Sequence, residues 1–295
     1  MGERLRCVAP VGDRCGEAAT WSPQEQALYW CDVNRFLIHR IDAAERVSSW
    51  FFDEPVTALS LTETPGLWLV ALASRLILWR PDDDSRRDHG FRLAEWPTAR
   101  LNDGRAAPNG DFWIGTMANN VGPHGEPGET PFGHGVLHRV RPGGVVIEQK
   151  RGLGISNTVC WSPDRRTFYF GDTQQNTIWA YDYDPDSGEI ANERPFFAGF
   201  ARGVPDGSSI DAQGRLWNCR FDGGCVVCIA PDGGIDQVLE IPVRNVTTCA
   251  FGGPDLATLY ITTAGMMTTP SDRLAGSLFA YEAGVAGLES FQARL

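Results

Sequence analysis

Six times along the chain, an aromatic and β-branched run is followed within a few residues by a second run of the same kind. ALYWCDV (27–33) precedes FLIHRID (36–42), and GLWLVAL (66–72) precedes RLILWRP (75–81). DFWIGTM (111–117) precedes GVLHRVRPGG (135–144), and TFYFGDT (167–173) precedes TIWAYDYDPDSG (177–188). RLWNCRF (215–221) precedes CVVCIAPDGG (225–234), and TLYITTA (258–264) precedes SLFAYEAG (277–284). The period of roughly 40–55 residues is that of propeller blades, not of helical repeats. A further strand-like run leads into each pair, as in EAATWSPQEQALYW, NTVCWSPDRRTFYF and GSSIDAQGRLW. The Ser-Pro-x-x, Ala-Gln-Gly and Pro-Asn-Gly inserts have hairpin chemistry. Each unit is thus a meander of at least three strands, with room for a fourth in the connecting segment, and no segment carries sustained helical periodicity. The expectation is an all-β, six-bladed β-propeller with a central channel, occupying residues 1–295 as one domain. A two-sheet sandwich would account for the strands but not for the regular period. The unit near 56–81 fits least well.

The phase of the repeat carries chemistry. About ten residues ahead of each aromatic run, where the unit's first strand begins, stand Glu17, Thr57, Asn102, Asn157, Asp206 and, in the last unit, Thr247 or Thr248. Equivalent positions of successive blades surround one axis, so these residues form a ring at one end of the channel. Apolar residues would be expected in a core. Two carboxylates and two amides buried together are costly without a compensating charge, and a divalent cation supplies one. Oxygen donors suit hard or borderline divalent ions, while the lack of nearby His or Cys disfavours a structural zinc site. The best ligand set is Glu17, Asn157 and Asp206; the alternative is a ring of solvated polar residues lining a wet channel. Pro205-Asp206-Gly207 reads as a sharp turn into the innermost strand, since Pro fixes φ and Gly tolerates positive φ. The Gly- and Pro-rich segment 118–135 returns to the ring side of the third unit, where it is either a lid over the pocket or a mobile surface loop.

Composition narrows the partners. The formal net charge is −11, so phosphate backbones and anionic membrane surfaces would repel the chain, and neither nucleic acid nor membrane is expected as a partner. The stretch MGERLRCVAPVGDRCGE has no apolar signal-peptide core, and Arg6 stands where a myristoylation signal has Ser or Thr; a cytoplasmic location is the default expectation. The eight cysteines, at positions 7, 15, 31, 160, 219, 225, 228 and 249, make no disulfide framework. Cys225 and Cys228 are three apart on a strand and face opposite ways, so reduced, mostly buried thiols are expected. No Gly-x-Ser-x-Gly elbow or HExxH motif is present. Oligomeric state is not legible.

The stretches GEAATWSPQEQALYWCDV, RLNDGRAAPNGDFWIGTM, ISNTVCWSPDRRTFYFGDT, PDGSSIDAQGRLW and TTCAFGGPDLATLYITTA, spread from about residue 15 to residue 280, resemble the regucalcin (senescence-marker-protein)/gluconolactonase family of sugar lactonases. Each is a loose pattern; in this order they are specific together. The resemblance implies a six-bladed propeller holding one divalent metal ion, with calcium, zinc, manganese, magnesium and iron(II) all open. It implies Glu17, Asn157 and Asp206 as metal ligands, Asp206 also as acid/base, and Arg100 and Asn102 as substrate-binding residues. Arg100 comes from the resemblance alone; the phase of the repeat selects the other four. Three departures concern the pocket walls. Asn120, beside Asn119, stands where some relatives have an acidic substrate-contacting residue. Thr158 follows Asn157 where the family often has Gly, and Gly265-Met266-Met267 replaces a basic residue and Gly.

The implied activity is metal-dependent hydrolysis of an aldonolactone to its open-chain sugar acid. The small-molecule partner is then a sugar lactone whose identity stays open among the glucono-, galactono-, arabinono- and xylonolactones. Two other readings remain: a non-catalytic calcium-binding or regulatory propeller, and a propeller aryl-esterase. The first has no need of Glu17, Asn157 and Asp206 in one phase, and the second would want a more apolar pocket than Arg100, Asn102 and Asn120 provide.

Overall fold

A computed structural model describes residues 4–269 and 271–295; the first three residues, where the MGERLR stretch begins, and residue 270 lie outside it. The strands form six four-stranded antiparallel sheets. Blade 1 is Gly16–Ser22, Ala27–Asp32, Leu37–Ile41 and Val47–Phe51, and blade 2 is Val56–Leu61, Trp68–Leu72, Arg75–Arg80 and Ser85–Arg92. Blade 3 is Ala99–Ala106, Phe112–Ala118, Gly135–Val140 and Val146–Leu153, and blade 4 is Ser156–Trp161, Thr167–Asp172, Thr177–Tyr183 and Ile190–Ala198. Blade 5 is Val204–Ile210, Leu216–Phe221, Cys225–Ile229 and Ile235–Glu240. Blade 6 takes Val246–Gly252, Thr258–Thr263 and Leu278–Glu282 from the end of the chain and its outermost strand, Leu5–Ala9, from the beginning. That closure, in which Leu5 pairs with Tyr281 and Cys7 with Phe279, joins the last blade to the first residues described. It is a six-bladed β-propeller, and the unit at 56–81 is a regular blade of it.

The aromatic runs form blades because both faces of each sheet are buried and strand side chains alternate between them. In blade 1, Tyr29 points to blade 2, where its ring centroid lies 4.4 Å from that of Trp68. The next residue, Trp30, points the other way, into the cluster containing Ala250 and Leu278 of blade 6. Each of the six interfaces between neighbouring blades has its own apolar cluster. Cys225 lies in the cluster shared with blade 4 and Cys228 in that shared with blade 6, which is the parity expected from their spacing. All eight cysteines are free, six of them buried.

The far end of the channel is closed by the segment after the last strand. Gly287 bridges to Asp211 and Ala293 to Thr62, and the Arg294 amide donates to Gly110 O at 2.8 Å. Leu288, Ser290 and Phe291 thereby cap a cavity of only about 50 Å³ that also contacts Thr20, Ser60, Arg105 and Ser209. The innermost strands begin at the other end.

Candidate active site

At that end all six innermost strands slip out of register with their neighbours. The shifts fall between Glu17 and Thr20, Val56 and Ala58, Leu101 and Gly104, Asn157 and Cys160, Pro205 and Ser208, and Val246 and Cys249. A bulge leaves residues unpaired and re-aims their side chains, so the ring is built by one backbone device used six times. This corrects the turn reading of Pro205-Asp206-Gly207. The three residues lie inside the strand Val204–Ile210, and the glycine is required by close approach. A Cβ on Gly207 would stand 2.0 Å from Thr248 Oγ1.

Arg100, Asn102, Asn120 and Asn157 are joined by hydrogen bonds. Asp206, Asn157 and Arg100 are buried, and Glu17, Asn102 and Asn120 half-buried. Arg100 donates from Nη1 to Asn102 Oδ1 at 2.7 Å and from Nε to Asn120 Oδ1 at 3.0 Å. Asn102 Nδ2 in turn donates to Ser156 O at 2.9 Å and to Asn157 Oδ1 at 3.3 Å. The Asn157 amide is fixed from behind. Its Nδ2 donates to Thr173 Oγ1 at 2.8 Å, and that hydroxyl spends its own proton on Pro205 O at 2.7 Å. Thr173 can therefore only accept, so the carbonyl oxygen of Asn157 is turned into the ring.

The hydroxyl members behave differently. Thr57 donates to Ala71 O, and Thr247 sits against Gly16 O and 2.9 Å from Thr262 Oγ1. They tie strands and blades together.

Asp103 is a third carboxylate of the ring that the phase of the repeat does not select. It adjoins Asn102 within the same bulge, accepts from the Val159 amide at 3.3 Å and is half-buried. The signal was present in the sequence as the Asn102-Asp103 pair, since a bulge can present two successive side chains on one side. Burial, then Asp206 and Asp103, hold the Glu17 carboxyl well above its usual range; burial, then Asp103, do the same to Asp206. Asp103 is itself raised by burial.

Thr158 explains one departure. Its φ is +56°, a conformation that glycine adopts freely and a β-branched residue resists. Its hydroxyl lies 2.6 Å from Asp206 O, to which it donates, and 2.9 Å from Ser208 Oγ. It braces the backbone that carries Asp206.

The ring fits a divalent cation on its own chemistry: two raised carboxyls, neither in an ion pair among the described residues, stand with an inward amide oxygen. Among the described residues no three His, Cys, Asp or Glu side chains converge tightly enough to hold a metal alone.

The segment between Ala118 and Gly135 is docked at several points. Val121 packs into the core between blades 1 and 2 and bridges to Pro127. Asn34 Nδ2 donates to Gly125 O at 2.9 Å, and Gln174 Nε2 to Thr130 O at 2.6 Å. Gly125 has φ +81° and lies so close that a Cβ would be 1.8 Å from Asn34 O. The loop thus reaches from blade 3 to blades 1 and 4.

Fold and ring together define a class: a six-bladed propeller that presents carboxylate and amide oxygens, with a guanidinium beside them, at one end of its axis. Comparison with known proteins is specific. The chain belongs to the SMP-30/Gluconolactonase/LRE-like family, whose sequence pattern matches residues 15–265. It is 36% identical over 259 residues to pentonolactonase XacC of Haloferax volcanii, covering 88% of this chain and 84% of that one. It is 35% identical over 299 residues to the 6-deoxy-6-sulfogluconolactonase of Pseudomonas putida, covering 97% of both. The crystal structure of a calcium-binding protein, regucalcin, from Agrobacterium tumefaciens superposes with a TM-score of 0.90 at 27% identity, over 98% of this chain and 97% of that one.

Proposed function

We propose that the protein hydrolyses a sugar lactone to the corresponding sugar acid at the bulge-built ring, in the presence of a divalent cation held by Glu17, Asn157 and Asp206. The observation that carries this reading is the inward carbonyl of Asn157, fixed by Thr173 beside two carboxyls whose burial calls for a cation. Relatives named as lactonases over nearly the whole chain support it.

When bound, the cation supplies positive charge against the lactone carbonyl oxygen as negative charge develops there. The remaining work falls to the chain. Asp206 accepts a proton from the attacking water as the water oxygen bonds to the carbonyl carbon. It returns that proton to the ring oxygen as the carbon–oxygen bond of the ring breaks. Arg100 and Asn102, already joined to one another, hold the sugar hydroxyls in one orientation. Asn120 steadies the guanidinium. The docked loop over the ring side limits bulk water.

The test is acid release from a panel of pentono- and hexonolactones by protein stripped with chelator and then given calcium, zinc, manganese, magnesium or iron(II) singly. Hydrolysis of one or two lactones well above spontaneous opening, with at least one metal, is the expected result. No rate above background with any metal overturns the reading.

A further inference from the structure

The buried guanidinium of Arg100 is held entirely by neutral oxygens. Nε donates to the Asn120 amide, and Nη1 donates to the Asn102 amide at 2.7 Å and to Leu101 O at 2.9 Å. Nη2 has no acceptor among the described residues, yet it is not one of the sealed polar atoms. No carboxylate forms an ion pair with Arg100 among the described residues, although the buried Arg139 of the same blade has Asp111 against its Nε at 2.5 Å. A buried charge without a counterion is costly, and its natural complement is an anion that brings oxygen atoms to the free donor. Position 120 decides the outcome. A carboxylate there would pair with Nε and use up the charge of Arg100; the amide fixes the guanidinium in place and leaves its charge available.

We propose that Asn120 makes the pocket selective for lactones bearing a second, anionic substituent, which Arg100 receives through Nη2. This rests on the lactonase reading and names the substrate class for it. A sulfonate, a carboxylate and a phosphate share the required chemistry, namely an anionic oxygen group at the end of the sugar remote from the lactone carbonyl.

The experiment compares kcat/KM of the full-length, metal-loaded protein for an uncharged hexonolactone and for the same lactone carrying a terminal carboxylate, sulfonate or phosphate. A charge-assisted contact in place of a neutral one is expected to favour at least one charged lactone by about tenfold. Asn120→Glu is expected to abolish that ratio while leaving the melting temperature near wild type. Binding of a terminally charged sugar acid and of its uncharged parent is measured by calorimetry alongside. This reads the preference without turnover, and Asn120→Asp serves if the glutamate variant fails to fold. Equal or higher kcat/KM and affinity for the uncharged compounds would overturn the inference while leaving lactone hydrolysis standing. Absence of hydrolysis with every lactone would instead overturn the lactonase reading, and the binding preference would still decide the role of Asn120.

Discussion

Replacing Asp206 with Asn should move activity and stability in opposite directions. Asp206 is buried, forms no ion pair among the described residues, and its carboxyl is pushed well up by burial and by Asp103. In the metal-free protein, once pH exceeds its raised pKa, it is therefore a charge the fold holds at a cost. Neutralising it with an isosteric amide removes a desolvation penalty of about 1–3 kcal/mol. Unfolding entropy of about 2.1 cal/mol/K per residue over this chain converts that gain to a rise in Tm of roughly 2–5 °C. The sign depends on pH. A carboxyl whose folded pKa is raised contributes stability that is fully present below the unfolded value near 4 and lost as pH rises through the folded one. The advantage of Asp206→Asn should therefore grow as pH rises through the raised folded pKa and shrink as pH falls toward the unfolded value near 4. Saturating divalent cation should reverse the order. A ligand at about a hundredfold its Kd adds about 2.7 kcal/mol to the wild type, whereas the variant has lost a donor and gains less. The assay is a set of melting curves for both proteins at several pH values, with chelator and with metal, alongside lactone turnover. A variant less stable than wild type in chelator at every pH, or one gaining as much from cation as wild type does, would refute the reading of Asp206 as a buried ligand carboxylate.

Thr173→Val keeps the shape of the side chain but removes the acceptor that orients Asn157; the cation Kd should rise about 10- to 100-fold, as read by metal titration followed by calorimetry. Thr158→Gly relieves a strained φ of +56° and loses the hydroxyl that braces Asp206 O; Tm should change by less than about 2 °C because each effect is on the order of 1 kcal/mol, while kcat falls several-fold. Arg100→Met removes the donor to Asn102 and Asn120; kcat/KM should drop by roughly a hundredfold with an unchanged far-ultraviolet spectrum, in line with loss of a charged hydrogen bond and its orienting effect. Gly125→Ala places a Cβ against Asn34 O and must displace the tip of the 119–134 segment; KM should rise several-fold with little change in Tm, measured by steady-state kinetics and thermal melting.

What the sequence disclosed, and what it withheld, follows from the range of the interactions. Alternation along a strand is local, so Tyr29 and Trp30 already announce a sheet buried on both faces, and the spacing of six such runs announces the blades. The shared phase of Glu17, Asn157 and Asp206 is also visible, because equivalence within a repeat needs no knowledge of contacts. Features made by the meeting of distant segments are not visible. The closure of blade 6 by Leu5–Ala9 pairs residues from opposite ends of the chain. Gly207 looks like a turn glycine until Thr248 is seen against it. Asp103 escaped because an alternating strand would send it away from Asn102, and only a bulge turns both toward the ring. Ala18 and Thr158 make the same point from the backbone. Both stand one residue after a proposed ligand, at φ +57° and +56°, in bulges of blades 1 and 4. Neither residue type signals a left-handed conformation, so the device that aims Glu17 and Asn157 is written in the geometry of the register shift and not in the identity of the residue that performs it.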